Sequence, residues 1–409
     1  MSQPTKSTNP LIFIFITILI DSIGIGIVFP VMPDLLMNMM HINETEATQW
    51  GGYLATAYAL MQFVFAPVLG GISDRYGRRP VLLLSLVGLG LDYIFLTFAN
   101  TITLLFIGRI VAGICGGSFT TGFAYIADVV PAEKRAQSYG LMGAAFGLGF
   151  ILGPVIGGIL GEIGGERLPF IAAAVITLLN FLYGYFILPE SLKPENRRAF
   201  DIKRANPFGA YLHLSKIKEL RLLVLGMFFL YLAGQVMPAV WPYYTKILFG
   251  WGKFENGMSL AFVGLVVAGV QGGLIRFAHK KFGQDRSILI GLFFYAIGLF
   301  LFASADQPWM MYVYTLVYAL GGIGPPAIQA LISSRTAANE QGEIQGLLTS
   351  LTSLAAVLSP LMFTQILSFF TEDKTRIFFP GAPFLLAGGL IVLAMFFVFT
   401  GLRINKKQE

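Results

Sequence analysis

The chain has 409 residues, of which 56% are hydrophobic and only 12% charged, against about 25% charge in a soluble domain. With a mean hydropathy of +0.72, that composition excludes a soluble globular protein and points to an all-α polytopic membrane protein. The net charge of +6 then has to be read along the chain before any partner is assigned to it.

The first predicted span, 11–33, begins "LIFIFITILIDSIGIGIVFP" and carries Asp21 at its centre. It is too long for a signal-peptide core and ends in "FPVMPDLL" without a small-residue cleavage site, so it is expected to stay as a helix. An acid at mid-membrane costs about 2.5–3.5 kcal/mol on insertion scales, which calls for a partner or a function. Further apolar runs of spanning length occur at 48–70, 81–99, 102–125, 137–161, 168–188, 221–245, 256–276, 287–303, 309–332, 343–369 and 381–402. Twelve spans put both termini on one side. Of the 28 Lys and Arg, Arg167, Lys246, Lys253, Lys374 and Arg376 fall in loops of the opposite side and Arg109 inside a span. The other 22 lie with the termini, which the positive-inside rule makes cytoplasmic. The expected location is the cytoplasmic (inner) membrane, and the basic charge reports topology rather than nucleic-acid binding.

Residues 189–220 break the rhythm with a polar, basic, Pro-containing stretch that separates six spans (1–188) from six (221–409). At a shift of 206 residues, Gly51 aligns with Gly257, Leu54 with Leu260, Gly77 with Gly283, Gly140 with Gly346 and Pro154 with Pro360. A register held that long argues for duplication. Parallel six-helix repeats build one large class of secondary transporters, with the substrate site near the midplane.

The loop after the second span reads "GGISDRYGRRPVLL" from Gly70. Gly77 suits a tight turn between spans, and Arg78 suits a carboxylate. The string resembles the signature loop of the major facilitator superfamily. The resemblance implies a cytoplasmic gate built from Gly70, Asp74, Arg75, Gly77, Arg78 and Arg79, with Asp128 and Arg135 of "DVVPAEKR". It would pair Arg78 with Asp128 and dock Asp74 at the helix start near Gly342. The equivalent "FAHKKFGQDR" keeps Gly283 but loses the Asp-Arg pattern, so the latch is expected to be asymmetric. In the fifth span, "GLGFILGPVIGG" places Gly149, Gly153, Pro154, Gly157 and Gly158 at helical spacing. Small residues bring helices together and proline kinks them; the family associates this pattern with antiporter-type exporters.

Within the superfamily, "AGQVMPAVW" and "QGEIQGLLTSLTSL" resemble the tetracycline/proton antiporters and the drug-efflux group around them. Two departures fall on chemistry. Those exporters carry an acid in the ninth span where this chain has Tyr295, and a histidine in the eighth where it has Val267.

The interiors of spans 7 to 12 hold no Asp, Glu or His, which leaves Asp21 and Asp92 as embedded acids, about 15 and 18 Å deep at helical rise. With Arg109 at a comparable height they form the expected proton-coupling cluster; a purely structural pairing of Asp21 with Arg109 is the alternative. Gln62, Gln235, Gln271, Gln329 and Gln365 are candidate cavity amides or interhelical hydrogen bonds, and Phe65, Trp241 and Tyr295 candidate aromatic walls of a substrate site that also includes Asp92. The single Cys115 excludes an intrachain disulfide and reads as a packing residue. No HExxH, nucleophile elbow or phosphate loop is present, and His41, His213 and His279 fall in loops or at helix ends. No enzyme activity, metal or cofactor is implied. The expected partners are protons, a small-molecule substrate and the bilayer, for a monomeric chain. Three readings stay open: proton-coupled export of amphipathic drug-like or natural-product compounds, proton-linked transport of a specific metabolite such as a siderophore, and a transporter-like receptor without turnover.

Overall fold

The computed structural model describes residues 10–200, 220–336, 341–372 and 377–405. Among them are twelve helical stretches long and apolar enough to cross a membrane. The first three spans are α1 (Pro10–Met40), α2 (Glu44–Tyr76) and α3 (Arg78–Phe98). The fourth is split into α4 (Ile102–Cys115) and α5 (Ser118–Val129), followed by α6 (Ala132–Gly164) and α7 (Leu168–Ile187). The seventh is split into α8 (Arg221–Gly234) and α9 (Val236–Phe249). The eighth runs as α10 (Lys253–Gly269), a π turn (Val270–Leu274) and α11 (Ile275–Phe282). Then come α12 (Gln284–Ala303), a tenth span divided into α13 (Pro308–Leu320) and α14 (Gly324–Ser334), α15 (Gln341–Thr371) and α16 (Ala382–Asn405).

The interruptions have local causes. Pro238 in the first turn of α9 lacks an N–H, and its ring clashes with the carbonyl four residues earlier, so α8 ends at Gly234. The Leu232 carbonyl near that break accepts from the Ser359 hydroxyl at 3.1 Å. Glycines at 321, 322 and 324 precede Pro325 and Pro326 at the tenth-span break, and Gly116 and Gly117 mark the fourth-span break. The two loop glycines matched by the repeat adopt the same backbone: Gly77 has φ +112° and ψ 161°, Gly283 φ +75° and ψ 168°, and each caps the helix that follows. That region favours glycine.

Two compact units form, and each draws on both sides of the linker. The first holds α1, the chain from Ala57 through α7, and Lys253–Ala261. In it α6 lies directly on α1: Cβ atoms on Gly153 and Gly157 would sit 2.6 and 2.5 Å from the Ile23 and Ile27 carbonyls, and one on Gly26 would sit 2.8 Å from Pro154. Only glycine permits that approach. A Cβ on Gly158 would meet the Lys253 carbonyl at 2.6 Å and Gly257 at 3.3 Å. The Lys253 ammonium lies 3.1 Å from Asp34 and 3.3 Å from Glu166, whose Oε1 also accepts from Asn38 at 2.9 Å.

The second unit holds His41–Thr56, α8 and α9, and the chain from Phe262 through α16. Its centre is aromatic. The Trp241 ring meets Phe302 edge-on at 5.3 Å, Tyr244 meets Phe384 at 4.9 Å, and the Tyr244 hydroxyl donates to the Phe302 carbonyl at 2.6 Å.

Candidate functional site

Inside the first unit, α3 and α4 bring Asp92 and Arg109 together as an ion pair, Arg109 Nη2 donating to Asp92 Oδ2. Gly108 makes the approach possible, since a Cβ there would lie 2.9 Å from Asp92 Oδ1. The guanidinium also stands 5.7 Å from the centre of the Tyr58 ring, within cation–π range. Asp92 Oδ1 and Arg109 Nε have no hydrogen-bond partner, so the pair keeps one acceptor and one donor for other groups.

Asp21 is 3% exposed on α1. Neither of its oxygens makes a hydrogen bond of good geometry, although the Ser118 hydroxyl stands beside it. Ser118 is the first residue of α5, so the break in the fourth span brings a helix N-terminal turn to the acid, a placement that favours negative charge. One turn back along α1, Thr17 accepts from Asn180 at 3.2 Å. The sequence offered Asp21 as the structural partner of Arg109; the structure gives that role to Asp92. Depth along a helix is legible in residue numbers, whereas the direction a side chain faces depends on how the helices pack.

At the α2–α3 turn of the first unit, Arg78 donates to Asp128 at 3.1 Å and to Ser73 at 2.7 Å, and pairs with Asp74. The expected Arg78–Asp128 contact is present. The expected docking of Asp74 concerns the start of α15 near Gly342, which belongs to the second unit, and it stays an expectation. Arg79 donates to the Tyr185 carbonyl at 2.6 Å, Arg75 is exposed over the Tyr76 ring, and Arg135 donates to the Val130 and Ala127 carbonyls at 3.0 and 2.8 Å. Gly70 faces open space. Sequence reasoning missed Glu190, which accepts from the backbone N–H groups of Arg78 (2.8 Å) and Arg79 (3.2 Å) and so occupies the N-terminus of α3. The available signal was an acid directly after the proline that ends α7.

The proposed substrate residues separate. Trp241 is fully buried between Phe302 and Phe384; it is a core residue with no face free to wall a cavity, which corrects the sequence expectation. Gln62 donates to Tyr58 and to the Gly116 carbonyl, both at 3.4 Å, and so serves the fourth-span break. Phe65 is half-buried, and Gln235 sits at the α8–α9 junction. Gln365 is half-buried with its amide nitrogen unpartnered. Tyr295 is largely buried, its ring edge-on to Tyr318 at 5.1 Å and packed beneath Gly321, where a Cβ would come within 2.6 Å. Val267 and the exposed Gln271 lie beside Gly322. The two positions that depart from the tetracycline antiporters therefore flank one broken helix. Gln329 donates to Gln345 at 3.2 Å.

Comparison with known proteins fits this architecture. The family model "Major Facilitator Superfamily" matches residues 14–280 and 276–409. The chain belongs to the major facilitator superfamily. It is 42% identical over 361 residues to the class C tetracycline resistance protein of Escherichia coli, covering 88% of this chain and 90% of the relative. It is 35% identical over 348 residues to the class B protein from Escherichia coli, with 85% and 86% covered. Among solved structures, a bacterial homologue of the human lysosomal transporter Spinster aligns with a TM-score of 0.79 over 98% of both chains, at 15% identity. Membership makes the chain a multi-pass membrane transporter and not an enzyme.

Proposed function

We propose that this protein is a proton-coupled secondary transporter that exports amphipathic drug-like or natural-product compounds from the cytoplasm by alternating access. The observation that carries the reading is the buried Asp92–Arg109 pair with a second buried acid, Asp21, in the same unit. A proton carrier must change charge during the cycle, and the interiors of spans 7 to 12 offer only amides and hydroxyls, which do not. Protonation of Asp92 releases Arg109, and deprotonation restores the pair. Asp21 is the second carrier. Both termini face the cytoplasm, on the distribution of Lys and Arg, and the Gly70–Arg79 segment, the end of α2 and the start of α3 around Gly77, closes that side with Asp128 and Arg135. Two relatives are named tetracycline resistance proteins, and outward movement of a drug is a direction that produces resistance.

The test uses protein reconstituted in liposomes with a pH dye and labelled substrate. Asp92→Asn should abolish transport driven by a pH gradient yet leave substrate exchange between equal pools, because the amide resembles the protonated acid and cannot release the proton. An Asp21→Asn, Asp92→Asn double variant that still moves protons with substrate at the wild-type ratio would sink the proposal.

A further inference from the structure

A cavity of about 230 Å3 opens within the second unit, lined by Tyr231 of α8, Gln329 of α14, and Gln345, Thr349, Thr352 and Ser353 of α15, with Leu348 as an apolar neighbour. No charged side chain lines it. Residues 345, 349, 352 and 353 fall on one helical face, with neighbouring side chains roughly 5–6 Å apart.

What these groups present is decided by where their protons go. Thr349 donates its hydroxyl proton to the Gln345 carbonyl at 2.9 Å, Thr352 to Leu348 at 2.9 Å, and Ser353 to Thr349 at 3.1 Å. A hydroxyl has one proton and two lone pairs, so each oxygen is left as an acceptor. Gln329 donates its amide nitrogen to Gln345 Oε1, which leaves Gln329 Oε1 as a further acceptor. The wall is neutral: its hydroxyl oxygens and Gln329 Oε1 accept, while the Gln345 amide nitrogen and the second N–H of Gln329 can donate.

We propose that this face of α15 is a substrate subsite that accepts hydrogen bonds from a neutral ring compound edged with hydroxyl groups. It rests on the transporter reading and names the substrate chemistry the second unit selects. A bare cation gains little here, because no carboxylate compensates its charge. The volume lies below the range of roughly 300–1,000 Å3 for drug-sized pockets, so the subsite takes one edge of a ligand rather than the whole.

The test pairs loss of acceptors on the protein with loss of donors on the probe. Binding of quercetin, a flavonol with free hydroxyls, and of its pentamethyl ether is measured on the full chain in lipid nanodiscs. Wild-type protein should bind quercetin on the order of tenfold more tightly than the ether, as expected for two neutral hydrogen bonds. Thr349→Val with Ser353→Ala should erase most of that difference, and Thr349→Ser, which keeps the oxygen, should retain it. The proposal is overturned if wild-type protein fails to bind quercetin, if the Val/Ala variant preserves the preference, or if the Ser variant loses it. Wild-type protein that couples protons to substrate but shows no preference for quercetin counts against the subsite alone, and wild-type protein that shows the preference but moves no protons with substrate counts against the transport reading alone.

Discussion

Arg109 is the residue on which the embedded charges of the first unit depend. Removing one partner of a buried ion pair costs about 3–5 kcal/mol, whereas removing both together is close to neutral. Arg109→Met should therefore lower the thermal stability of purified protein substantially, and Arg109→Met combined with Asp92→Asn should recover most of it. Melting in one detergent across the four members of this cycle is the measurement, and additive losses would mean that the two residues do not act as a pair. Asp21→Asn should shift the pH dependence of transport with little loss of stability, since Arg109 is held by Asp92 and not by Asp21. All three residues were legible as the only charges inside apolar runs. Their pairing was not, because Asp21 and Asp92 sit at nearly the same depth and only the Gly108 contact decides which acid reaches the guanidinium.

For the helices, glycine content alone proved ambiguous. Gly116–Gly117 interrupts a span, yet Gly157–Gly158 and Gly51–Gly52 lie inside continuous helices. A glycine pair permits a break; the surroundings impose it, here with the Gln62 amide taking up the Gly116 carbonyl. The proline-driven break before Pro238 could have been read from sequence, and the π turn at Val270–Leu274 could not. The fifth-span glycines have a clear structural task, and it gives a prediction with an internal control. Gly157→Val would drive its side chain into the Ile27 backbone, and overpacking of this kind costs about 1–3 kcal/mol. Gly143→Ala on the same helix faces open space and should melt as the wild type does. Equal effects of the two substitutions would mean that α1 and α6 do not pack as described.

Over the whole molecule, composition and span spacing were enough to read twelve helices, because bilayer thickness sets their length directly. The boundaries of the compact units were not readable in this way. Segments such as Lys253–Ala261 look like the start of an ordinary span and reveal their allegiance only through contacts. The substrate response is also set at this scale. On the resemblance drawn from the sequence, Val267 and Tyr295 replace titratable groups of the tetracycline exporters; both adjoin the tenth-span break, so expression in a sensitive host should give little or no tetracycline resistance. Growth over a range of tetracycline concentrations checks this. Strong resistance that disappears with Asp92→Asn would show that the first-unit acids suffice for that drug.

The membership of Lys253 in the first unit also fixes an order of manufacture. Asp34 and Glu166 are synthesised and inserted long before the ribosome reaches the lysine that sits 3.1 and 3.3 Å from them in the finished protein. Until the eighth span arrives, the first six helices are an unfinished product, with two acids awaiting their lysine and the Gly158 face of α6 uncovered. A gene cut within the 189–220 linker should therefore yield an amino-terminal fragment that membrane quality-control proteases remove when it is made alone. Supplying the carboxy-terminal fragment from a second gene should rescue it, and Lys253→Met in that second fragment should weaken the rescue.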